Sequence, residues 1–160
     1  MLFRSWMSSS IIPEYTFNDM MNYLTVKLTD FMDLLDDNKL IWVISHILNA
    51  SFSCKDVVYP VQAFVQKENE LYVYDNHTWS KMSSEQMRSL VNKIQFKIMT
   101  ELISWKATHA EELKTDNRMS EKFNKAIIKL MNVSDKLVYA MKVHLYTLLK
   151  KNIHIDYDFE

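Results

Sequence analysis

The chain has 160 residues, of which 48% are apolar and 24% charged, with a net charge of −1; this is ordinary globular composition, not that of a disordered or collagen-like chain. It contains no glycine, where average usage near 7% would supply on the order of eleven. That argues against the P-loop, the dinucleotide fingerprint, the nucleophile elbow and the kinase loop together, because each needs positive φ or close backbone approach, and it points to a helical protein without catalytic function.

Residues 1–15 read as an irregular lead-in with Phe3, Trp6 and Met7 as anchors, and with neither a signal-peptide core nor transit-peptide character. Thr16 and Asp19 have capping-box spacing. Phe17, Met20, Met21, Leu24, Leu28, Phe31 and Leu35 then keep helical period to about Asp36. After Asp37 and Asn38, the stretch Lys39 to Leu48 is apolar nearly all round and reads as a buried helix.

Residues 50–60 form a connector. VQAFVQ (61–66) and ELYVYD (70–75) are β-branched and aromatic, and Lys67-Glu68-Asn69 lies between them. This is a hairpin signal, with Asn69 in the left-handed position. A second turn at Asp75-Asn76-His77 leads into TWSKM as a third strand, and the small sheet covers one face of a helix.

The strongest element spans Ser83 to Trp105. Ser83 and Gln86 make a capping box, Met82 and Met87 a hydrophobic staple, and Met87, Leu90, Val91, Ile94, Ile98, Leu102 and Trp105 fall on one face. Phe96, Met99 and Ile103 form a second stripe. A helix apolar on two sides is expected at the centre, covered on both. Helical pattern continues through ATHAEELK to Thr115. Ser120 is then placed to cap a helix carrying Phe123, Ile127, Leu130 and Met131 to Asn132. Ser134 is placed to cap a last helix with Leu137, Val138, Met141, Leu145, Leu148 and Leu149 inward, the pair forming an αα-hairpin or helix-turn-helix.

Candidate chemistry is sparse. No two of His46, His77, His109, His144 and His154 have zinc spacing, so no metal and no cofactor is expected, and His46 reads as a hydrogen-bonded core residue. Cys54 is the single cysteine, beside Lys55; a disulfide framework is excluded, and cytosol or nucleus is the expected compartment. No apolar run approaches the roughly 18 residues of a membrane span.

Charge is unevenly placed. Residues 1–83 carry six Lys/Arg against ten Asp/Glu, a balance of −4. Residues 84–151 carry thirteen against seven, or +6, and the acidic tail 152–160 follows. Lys122, Lys125 and Lys129 form a stripe opposite an apolar face, Arg88, Lys93 and Lys97 decorate the long helix, and Lys150 and Lys151 close the last. Such cations neutralise phosphates, and the hairpin aromatics Tyr72, Tyr74 and Trp79, expected to be exposed, would stack on bases. Lysine predominates over arginine, which argues against base-specific readout.

Residues 65–95, VQKENELYVYDNHTWSKMSSEQMRSLVNKIQ, place two strands before a tryptophan, a polar turn and an amphipathic helix. This resembles the segment preceding the helicase in primase-helicases of large DNA viruses, and the stretch from ISWKATHAEEL onward is similar to uncharacterised helical proteins of such viruses. No Walker motif follows, so no ATPase is implied. The resemblance implies a viral accessory module that binds nucleic acid or a replication partner, with Trp79 packing the hairpin on the helix. Many Met, Asn, Ile, Lys and Tyr fit an AT-rich genome.

The expectation is a single α+β domain over 1–160: about five helices around a central helix 84–105, and a two- or three-stranded antiparallel sheet within 61–80. The first functional expectation is a non-enzymatic binding protein whose basic face meets nucleic acid or a replication or transcription complex. The second is a compact helical module that binds a host or virion protein, either a viral host-factor antagonist with a Bcl-2-like bundle or a virion structural component, and a homo-oligomer is compatible with both.

Overall fold

The computed structural model describes residues 3–26 and 37–153. Along the chain run α1 (Phe3–Ser10), α2 (Phe17–Tyr23), α3 (Asp37–Ser51), β1 (Val61–Phe64), β2 (Leu71–Asp75), β3 (Thr78–Lys81), α4 (Ser84–Thr108), α5 (Ala110–Thr115), α6 (Asn117–Leu130), α7 (Asp135–Leu149) and β4 (Lys150–Lys151). The fold is α+β and predominantly helical. None of these helices is long and apolar enough to cross a membrane.

The lead-in is helical rather than irregular. Phe3 and Met7 are four apart, and both are fully buried on one face of α1. Thr16 and Asp19 close the expected capping box on α2. That helix stops at Tyr23 instead of running to Asp36, because Leu24 turns to extended backbone at φ −57° and ψ 130°. Leu28, Phe31 and Leu35 lie outside the described residues, as does most of the acidic tail. In α3 only one face is buried, with Leu40, Ile44, Ile47 and Leu48 inward and Trp42 57% exposed.

The sheet has four strands in the order β3-β2-β1-β4. Both hairpin turns use positive φ without glycine, at Asn69 (59°), Asn76 (50°) and His77 (62°). Asparagine tolerates this region better than most side chains. Alternation sends Val61, Ala63, Leu71 and Val73 into the main core with α2, α3, α4, α6 and α7. Phe64, Tyr72 and Trp79 point the other way and meet Phe3, Met7 and Ile11 in a second apolar cluster. The sheet is therefore covered on both faces. The fourth strand went unread: Lys150 and Lys151 pair parallel with Ala63 and Phe64, and two lysines carry no strand signal.

The capping box of Ser83 and Gln86 starts α4 as expected. Met87, Leu90, Val91, Ile94, Ile98 and Leu102 are fully buried along it. The second stripe is covered only at Met99, which packs on the main core; Phe96 is 59% and Ile103 55% exposed. A helical turn breaks at His109, whose Nδ1 lies 2.9 Å from the Trp105 carbonyl. Asp116, not Ser120, caps α6 by accepting from the Met119 N–H at 3.0 Å, so that helix starts earlier than expected. Ser120 instead donates its hydroxyl to the Leu113 carbonyl, 2.7 Å away. Ser134 caps α7. α6 packs mainly on α4, and α7 on α3 and then α4, rather than against each other as a hairpin.

Candidate nucleic-acid interface

The cations of α4 leave the helix in two directions. Buried Gln95 donates to the Leu130 and Asn132 carbonyls at 3.1 and 3.0 Å, and Trp105 stacks on Phe123 at 6.0 Å, so α6 runs antiparallel along that flank. Lys97 donates to the Asn22 carbonyl at 2.8 Å and also to that of Leu24. Residues 95 and 97 are separated by about 200° around a helix. Lys93 and Lys97 therefore face α2, on the far side of α4 from α6.

Two of the expected site cations are structural. Arg88 pairs with Asp135 and donates to the Val133 carbonyl at 2.9 Å, which pins the link between α6 and α7. Beside it a cavity of about 450 Å³ is lined by Met82, Met87, Tyr139 and Lys142. Lys97 satisfies carbonyls at the C-terminal end of α2, where a cation is favoured. Partial burial pushes its ammonium pKa down, and the Lys93 charge adds to that.

The expected aromatic platform is corrected by burial. Tyr72 is 1% and Trp79 5% exposed, because alternation turns both toward α1. Trp79 donates its indole N–H to the Ile11 carbonyl at 3.0 Å, so it packs the sheet on α1 and not on α4. Tyr74 is partly buried, with its ring 5.4 Å from that of Trp79. Burial and the neighbouring Glu70 carboxylate push the Tyr72 phenol up to about 12. Lys150 and Lys151 sit at the sheet edge, over the Tyr146 and Phe64 rings at 6.0 and 5.5 Å. Packing of the Lys151 ammonium lowers its pKa although much of the side chain is open to solvent.

What remains assembled is one flank of α6. Phe123, Ala126 and Leu130 are buried on its inner face. Lys122, Lys125 and Lys129 follow one flank, and Arg118 joins them four residues before Lys122. The sequence reading missed Arg118 because it started the helix at Ser120; the Asp116 cap was the signal available. Among the described residues Arg118, Lys122 and Lys125 have no ion-pair partner. Ile128, elsewhere on the same helix, and Met131 at its C-cap are exposed by 61% and 67%.

No family model, curated protein or solved structure matches this chain.

Other reactive groups are dispersed. His46 is exposed, not in the core, with its ring edge-on to Trp42 at 4.0 Å. The His144 ring lies 2.8 Å from the Asn49 carboxamide oxygen. The Cys54 thiol is exposed. Among the described residues no three His, Cys, Asp or Glu side chains are grouped to hold a metal ion.

Proposed function

We propose that the chain is a non-catalytic accessory binding protein, of viral type, that contacts the phosphate backbone of a nucleic acid along α6. The observation that carries this is the run Arg118, Lys122, Lys125 and Lys129 along one flank of a capped helix, with Arg118 and Lys125 exposed and Lys122 and Lys129 half-buried. Their spacing covers about 16 Å of helix axis at 1.5 Å per residue. A mostly lysine row positions a charged strand without reading its bases, so binding is sequence-tolerant.

The test is binding of labelled single- and double-stranded DNA and RNA at two salt concentrations. Four phosphate contacts should weaken binding about a hundredfold between roughly 50 and 200 mM salt. The Lys122→Glu, Lys125→Glu, Lys129→Glu triple variant should lose it while keeping wild-type circular dichroism. Absence of binding by the wild type at low salt overturns the reading.

A second reading is a protein-interaction module, and it rests on the exposure of Ile103, Ile128 and Met131 on α4 and α6. Capture of a partner that is lost in Ile128→Lys and kept in the lysine variant would favour it. A Bcl-2-like bundle is not retained as its form, because a sheet lies between two apolar layers.

A further inference from the structure

A second concavity, lined by polar side chains together with Met21 and Phe96, lies between α2 and α4, on the opposite side of α4 from α6. It encloses about 370 Å³, within the range of small-molecule sites. Asn18 and Asn22 are i, i+4 on α2, while Ser89, Asn92, Lys93 and Phe96 share the facing side of α4. The three asparagine side chains are exposed and make no hydrogen bond to the described residues. Among the described residues no carboxylate lines the groove. The Lys97 bonds to the Asn22 and Leu24 carbonyls hold the end of α2 against α4 and set its width.

These groups define the ligand by chemistry. An open phenyl ring offers one stacking face. Carboxamides match the paired donors and acceptors of a nucleobase edge. The Lys93 ammonium, which makes no ion pair with a described residue, favours an anion over a neutral sugar. We propose that the α2–α4 groove binds one nucleotide unit, its base stacked on Phe96 and read by Asn18, Asn22 and Asn92, its phosphate on Lys93. The volume fits one nucleotide, not two. The site is independent of the α6 flank and stands if that reading fails.

The unit is either a free nucleoside monophosphate or part of a single strand. The test therefore titrates the full chain with AMP, GMP, CMP and UMP in one arm and with short single-stranded oligonucleotides in the other. Side-chain amide resonances of the asparagines and binding heat are followed. Phe96→Ala and Asn92→Ala, both at exposed positions, should each weaken binding about tenfold, while the α6 triple variant leaves monophosphate binding unchanged. Response in the monophosphate arm identifies a free-nucleotide site, and response only to oligonucleotides identifies a strand subsite. No response in either arm, or a response indifferent to both substitutions, overturns the proposal; loss of oligonucleotide binding only in the α6 variant would assign the strand to that flank alone.

Discussion

Gln95 is the buried polar side chain of the long central helix, placed among apolar neighbours at 0% exposure. Its amide nitrogen serves two carbonyls at the end of α6, while no described residue partners its Oε1. Removing it leaves those carbonyls short of a donor, so Gln95→Ala should cost about 2 kcal/mol in urea denaturation. Nothing in the sequence marked this role, since a glutamine beside an apolar stripe reads as its solvent edge. Tyr72 gives a pH signature. Its folded phenol titrates near 12 against 10.0 when unfolded, so the folded state holds the proton more tightly. Its contribution is complete below pH 10 and is lost as pH rises toward 12, by about 1–2 kcal/mol once solvent screening of the hydroxyl is allowed for. Tyr72→Phe should flatten that fall; equal alkaline slopes for the two proteins would refute the assignment.

At the scale of elements, backbone chemistry was more legible than partners. The capping boxes at Thr16 and Ser83, the cap at Ser134 and the left-handed Asn69 were all readable, because each depends on residues within three or four positions. The early stop of α2 was not readable: its apolar period continues past Tyr23, and what holds the end is Lys97, far along the chain. The basic flank of α6 was read except for Arg118, which depended on choosing the right cap. The scattering of the other cations depended on which helix lies on which side of α4, and one sequence does not carry that information. The Asn76-His77 turn offers a direct test. Both residues have positive φ, as a tight hairpin requires, and histidine is a poor occupant. His77→Gly should raise stability by about 0.5–1 kcal/mol, read as a shift in denaturation midpoint. A lower midpoint would mean that the ring itself is structural.

Across the whole molecule, the sheet divides two apolar layers of unequal size. The smaller depends on α1, whose Phe3 meets Phe64 edge-on at 5.0 Å and Tyr72 at 5.2 Å. Full burial of one such ring contributes about 1.5–3 kcal/mol, with cavity formation adding to the loss on truncation. Phe3→Ala should therefore cost about 3–5 kcal/mol and increase binding of a hydrophobic dye as Phe64 and Trp79 become accessible. An unchanged midpoint would show that α1 is only loosely docked.

The parallel pairing of β1 with β4 has a consequence for biosynthesis. A ribosome delivers Ala63 and Phe64 long before Lys150 and Lys151, their partners across the ladder. Until α7 has emerged, one edge of the nascent sheet presents unmatched amides and carbonyls, which is the geometry that recruits foreign strands. Translation that pauses before the last helix would leave a half-built sheet in need of a chaperone. The two lysines that complete the ladder also place positive charge on its final edge, which disfavours addition of a further strand.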